Sequence, residues 1–252
     1  MLYRHREVLL SMVVKNVKAK YVGSLLGIWW SIITPLLIMA AITFVFTVIW
    51  PVSIKLFSLF VLCGILPWIF FASALSESTN SLIENTALLH QYIVPKELIP
   101  LATVLSNFIN FLFGLVCIIP FFIIFKLSTI QAIGWLPLVL FFHFVFVCGF
   151  SLLLSSINVY IRDVGHILGT FLMFWFWVTP VFYSHDMIPL PWKSYLLLNP
   201  MTSYVESYRQ VLYRGFAPDI RMLLFLLFWS VSIFVLGYSV FIKLESNFIK
   251  KL

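Results

Sequence analysis

Apolar residues run through this chain in long unbroken stretches, and polar residues gather between them. Six stretches read as transmembrane helices, at about 28–50, 57–75, 98–125, 134–157, 165–183 and 222–242. At a rise of roughly 1.5 Å per residue, ~20 residues cross a hydrocarbon core of about 30 Å. The strict alternation of a membrane barrel is missing, so helices must satisfy the backbone inside the bilayer. The expected fold is all-α and integral to the membrane, one domain over 1–252. Pro35, Pro67, Pro120, Pro137 and Pro180 fall in the spans as candidate kinks.

Three polar segments add to this picture. Residues 1–24 predict an interfacial helix, because Arg4, Glu7, Ser11, Lys15 and Lys18 recur on one side while Leu9, Met12, Val13 and Val17 fill the other. A simple basic tail is the alternative. The loop 76–97 mixes Ser, Thr and Asn with Leu82, Ile83, Leu88 and Leu89, which predicts a short amphipathic helix around 79–90 presenting Glu84, Asn85 and His90. The loop 184–221 predicts two short re-entrant helices: Pro191 and Pro200 suit first helical turns, Asn199 a cap and Gly215 a stop. Tyr204, Val205, Tyr208, Val211 and Leu212 follow at helical spacing, with Glu206 and Arg209 three apart.

Composition agrees with the pattern. The chain is 62% hydrophobic and 10% charged, against about 25% charged in a soluble domain. A net charge of +7 falls on scattered bases, which suits anionic lipid headgroups rather than nucleic acid. With the N-terminus inside, the inner segments hold ten bases: Arg4, Arg6, Lys15, Lys18, Lys20, Lys96, Arg162, Lys243, Lys250 and Lys251. The outer segments hold six: Lys55, Lys126, Lys193, Arg209, Arg214 and Arg221. Both termini are therefore expected in the cytoplasm. Cys63, Cys117 and Cys148 lie inside apolar runs, so neither a disulfide framework nor a metal site is expected. No A-x-A-like site follows a short apolar core, so no cleavable signal is expected.

Catalytic motifs are missing. No G-x-x-x-x-G-K-[ST], H-E-x-x-H or G-x-S-x-G occurs, so no catalytic residue, cofactor or metal is assigned to this chain. His143 is the titratable group expected within a span, as a proton-handling residue or an interhelical hydrogen-bonding one. Asn107 and Asn110, three apart, read as bonds between helices. The Arg162–Asp163 pair falls in the inner turn between spans four and five, where nothing forces it into the bilayer. Aromatic residues make up 18% of the chain, and "GTFLMFWFWVTPVFY" in span five carries rings on several sides. Such rings can stack on sugar faces, grip acyl chains or simply pack.

Several stretches together resemble one family: "KAKYVGSLLGIWWSIITPLL" (18–37), "GILPWIFFASALSESTNSLIENTALLHQYIVPKELIP" (64–100), "INVYIRDV" (157–164), "FWVTPVFY" (176–183) and "LNP" (198–200). They are similar to type-two ABC exporter permeases, and among these to the branch exporting O-antigen, capsule or teichoic-acid polysaccharides. The resemblance covers most of the chain, in order. It implies a homodimer in the bacterial cytoplasmic membrane, with two copies of a separate P-loop ATPase that carries ATP and Mg, and a lipid-linked glycan as cargo. By position it implies Glu84, Asn85, Leu88, Arg162 and Asp163 as coupling residues. It implies Trp30, Phe171, Trp175, Trp177 and Tyr183 as channel residues, and gate helices carrying Pro191, Pro200, Tyr204 and Tyr208. The competing readings are an exporter of a small drug or lipid, an intramembrane transferase using His143 and Asp186, and a passive channel.

Overall fold

The computed structural model describes residues 5–91, 95–125, 130–184, 187–196 and 198–251. Arg4, Lys126 and Asp186 lie outside them. Helix α1 (Arg6–Tyr21) precedes a 3-10 turn at Gly27–Trp29 that leads into α2 (Trp30–Phe44), extended by a π-turn to Ile49. Then follow α3 (Phe57–Glu84), α4 (Thr86–Gln91) and α5 (Leu98–Leu115), which passes through a 3-10 turn into α6 (Ile119–Phe125). The short α7 (Ile130–Ile133) precedes α8 (Leu136–Asn158) and α9 (Val164–Val178). Last come α10 (Trp192–Leu196), α11 (Pro200–Arg209) with a π-turn to Arg214, α12 (Ile220–Glu245) and α13 (Phe248–Lys251).

Five segments are long and apolar enough to cross a bilayer: Gly27–Ile49, Phe57–Glu84, Leu98–Phe125, Leu136–Asn158 and Ile220–Glu245. The sixth expected span, α9, has 15 helical residues, roughly 22 Å at the standard rise. Proline explains the shortfall. Pro180 excludes the helical region for the residue before it, and Thr179 is extended at φ −87°, ψ 132°. Pro180 thus ends span five rather than kinking it. Pro137 likewise stands in the first turn of α8, and Pro120 follows the 3-10 turn in span three.

The centre of the bundle is α3, with 78% of its apolar window buried against 6% for the α2 segment. Helices α2, α5, α8, α9 and α11 all pack on α3, and α8 pairs along its length with α12. That pairing depends on two glycines, since a Cβ on Gly237 would stand 2.0 Å from the Gly149 carbonyl oxygen. Both terminal helices lie at one end of the bundle. There Phe248 of α13 and Met12 of α1 join Leu82, Ile99, Leu152 and Val159, from the ends of α3, α5 and α8.

The expected helix at 79–90 is corrected. Residues 76–84 continue α3 without interruption, because Ser78, Thr79 and Ser81 donate their hydroxyls back to Leu75 and Ser78 carbonyls and stay helical. The break comes at Asn85, whose Nδ2 donates to Ser81 O at 2.8 Å, and α4 begins after it. In α1 the expected polar side, Glu7, Ser11, Lys15 and Lys18, faces outward, and Leu9, Met12, Val13 and Val17 face the bundle.

Candidate functional site

Two built regions stand at opposite ends of the α2–α3–α9 face. At the end holding the termini, Lys20 of α1, Glu77 of α3 and Asn107 of α5 close a polar triangle. Lys20 Nζ lies 2.8 Å from both Glu77 oxygens and donates to Asn107 Oδ1 at 2.7 Å. Asn107 Nδ2 donates to Glu77 Oε2 at 2.8 Å, and Tyr21 OH donates to Asn110 Oδ1 at 3.0 Å. Burial raises the Tyr21 phenol above its usual range; the Ser31 hydrogen bond opposes this and the Glu77 carboxylate adds to it. The two asparagines bond between helices, as expected, and tie α1 to the bundle.

Glu77 also stands at one end of a trough of about 570 Å³ between α2, α3 and α9. Its wall is apolar and partly aromatic, with Ile38, Ile69, Trp68, Met173 and Phe176, and Gly169 leaves it open. The outer side of α9 carries exposed Phe171, Phe174 and Trp177, and Trp30 is exposed at the start of α2. Of the ring candidates, Trp175 is half-buried, its Nε1 donating to Asn199 Oδ1 at 2.8 Å.

The far end is held by Arg209. Pro180 leaves backbone carbonyls with no helical partner, and such groups are tolerated at membrane depth only when protein satisfies them. Arg209 does so, its Nη1 donating to Pro180 O and its Nη2 to Val181 O, each at 2.6 Å. The guanidinium is fully buried and sits 3.6 Å from the Phe60 ring centroid. Tyr183 OH folds back onto the Trp177 and Val178 carbonyls at 3.2 Å, closing the end of α9. Asn199 joins this end to α11, capping Met201 N at 3.0 Å through Oδ1 and donating Nδ2 to Thr179 Oγ1 at 3.1 Å.

Arg209 therefore is no loop charge, as the count of bases assumed; α11 packs into the bundle against α3, α8 and α12. Pro200 and Asn199 start that helix and Gly215, at φ 73°, stops it, as expected. Tyr204 and Tyr208 point inward and anchor it. Tyr204 OH meets Ser230 Oγ at 2.7 Å, and both rings pack on His143. His143 lies fully buried, its Nδ1 3.3 Å from Tyr208 OH. Pro191 stays exposed, just before α10.

Arg162 and Asp163 are exposed in the turn between α8 and α9. Asn158 positions that turn. Its Nδ2 donates to Thr79 O at 2.9 Å and Asn80 Oδ1 at 3.0 Å, and its Oδ1 accepts from Gly165 N at 3.3 Å. The turn is thus clipped to α3 beside exposed Glu84 and half-buried Asn85 and Leu88, so all five coupling candidates share the end that holds the termini. Reasoning from sequence missed Glu77 and the inward turn of Lys20. Leu75, Thr79 and Leu82 at helical spacing were the available signal that α3 carries Glu77.

Residues 7–213 match the ABC-2 type transporter family. The chain belongs to that family. Two relatives are named O-antigen export system permease protein RfbA. One, from Myxococcus xanthus, is 31% identical over 253 residues, covering 98% of this chain and 96% of the relative. The other, from Klebsiella pneumoniae, is 29% identical over 235 residues, covering 93% and 90%. As an ABC-2 type transporter, the chain is a membrane protein whose family implies an ATPase subunit as partner.

Proposed function

We propose that this chain is the transmembrane subunit of an ATP-driven exporter that moves a lipid-linked polysaccharide across the bacterial cytoplasmic membrane. The observation that carries the reading is the near full-length similarity to relatives named O-antigen export permeases. The geometry fits it. The trough between α2, α3 and α9 is open on one side, as half of a channel completed by a second copy would be. Exposed Phe171 and Trp177 offer uncharged ring faces along which a polymer can slide, and Tyr183 and Trp175 brace the end of that helix.

Both termini then face the cytoplasm, where two ATPase subunits with ATP and Mg dock against Glu84, Asn85, Leu88 and the Arg162–Asp163 turn. Closure of the ATPases displaces this end of α3, which runs unbroken past the trough, so motion reaches the cargo path through one rigid helix. Helices α10 and α11 cover the exit as gate helices, with α11 anchored in the bundle by Asn199, Tyr204 and Arg209.

Mild-detergent purification of the tagged chain from its native membranes, followed by mass spectrometry, tests the reading. A stoichiometric ATPase with a lipid-linked glycan is expected. The ATPase with a small lipid or drug instead would overturn the cargo assignment, and neither would overturn the exporter assignment.

A further inference from the structure

A second cavity, of about 220 Å³, lies beneath α1 on the other side of Glu77 from the trough. Tyr21, Trp30, Ser31, Ser73, Asn110 and Glu77 line it, with Phe70 and Phe111 at its floor. We propose that this cavity binds one neutral sugar ring, held at the membrane end where the termini lie. The proposal rests on the reading that the cargo is a glycan.

Charge decides the ligand class. Lys20 is taken up by both Glu77 oxygens and Asn107, and Glu77 by Lys20 and Asn107, so the cavity offers neither a free cation nor a free carboxylate. A phosphate would have to break that triangle, and so would an ammonium headgroup. What remains unused is neutral. Ser73 Oγ, Thr34 Oγ1 and Asn110 Nδ2 make no hydrogen bond among the described residues, although all three residues line the cavity. Trp30 Nε1 is fixed by Ser24 Oγ at 3.1 Å, which holds its ring at the wall. Neutral donors and acceptors beside a fixed aromatic ring suit a molecule with hydroxyls around its edge and C–H groups on its faces.

The test uses the intact permease–ATPase complex in lipid nanodiscs and a photoreactive alkyl glucoside as probe. Labelled peptides should fall within 20–34 and 107–114. Octyl glucoside should compete at concentrations where octyl glycerol and dodecylphosphocholine do not. Ser73→Ala and Asn110→Ala should each weaken labelling about tenfold, the effect of one lost hydrogen bond. Ser73 Oγ bonds nothing among the described residues, so its variant leaves their packing alone. Equal competition by the glycerol ether, by phosphocholine, or labelling insensitive to Ser73→Ala would overturn the sugar site. The export reading is judged separately: a strain lacking this chain that keeps its surface glycan overturns that reading, whatever the labelling pattern.

Discussion

Arg209 and Val181 meet at 2.6 Å, guanidinium to carbonyl oxygen, deep inside a bundle of apolar helices. The pairing follows from one proline. Pro180 stops α9 short, the freed carbonyls need donors, and a planar fork satisfies two at once where a lysine ammonium offers a point charge. Gly64 makes the room, since a Cβ there would lie 2.6 Å from the same Val181 oxygen. Arg209→Met should destabilise by about 1–3 kcal/mol for each orphaned carbonyl, and Arg209→Lys should recover part of it. Thermal unfolding read with a thiol-reactive dye on the buried Cys63, Cys117 and Cys148 measures this order. Equal midpoints for Arg209→Met and the parent would refute the staple.

The α8–α12 crossing makes a second prediction. Gly237→Ala places a methyl against the Gly149 backbone and should cost about 1–3 kcal/mol through forced separation of the helices. Gly134→Ala, with nothing within 4 Å of its new Cβ, should be silent in the same assay.

Much of this architecture was legible in the sequence, and the exceptions have causes. Continuous apolar runs marked five spans, and Asn199, Pro200 and Gly215 marked α11, because both signals are local. Pro180 was visible too, yet whether a membrane proline kinks a helix or ends it depends on the donor that meets its freed carbonyls. That donor, Arg209, lies 29 positions further along. Arg209 looked like a loop charge because burial of a guanidinium is a tertiary fact. Glu77 looked like loop because Ser and Thr favour helix starts, but in a bundle their hydroxyls can bond the preceding turn instead.

His143 separates transport from catalysis. Its imidazole is fully buried among Phe70, Phe111, Tyr204 and Tyr208, and its Nε2 finds no partner among the described residues. A ring of similar size should replace it, so His143→Phe should keep export within about twofold, whereas His143→Ala leaves a cavity and should lower stability by about 2–4 kcal/mol. Export assayed as surface glycan decides: loss in a stably folded His143→Phe would revive the transferase and proton-handling readings.

Lys20 and Glu77 fasten the N-terminal helix to the bundle. Lys20→Glu and Glu77→Lys each set like charges together and should weaken assembly and export, while the double exchange restores the pair and should recover most of the loss. Glu77 is partly exposed, which limits the stability change to the scale of a screened ion pair. Export in the four strains, normalised to membrane abundance, reports the coupling, and a double variant no better than the worse single one would remove the pair from the mechanism.

Glu84 tests whether the end of α3 receives the ATPase. The residue is exposed at the last position of a 28-residue helix whose other flank lines the trough, so a change there should leave packing intact. Glu84→Arg reverses the charge at the docking face and should separate ATP hydrolysis from export: the complex hydrolyses ATP while surface glycan falls. Parallel loss of both activities with an unchanged unfolding midpoint would point to failed docking, and so still to this surface. Unchanged export would move the coupling contact elsewhere, to the Arg162–Asp163 turn that Asn158 clips to the same helix.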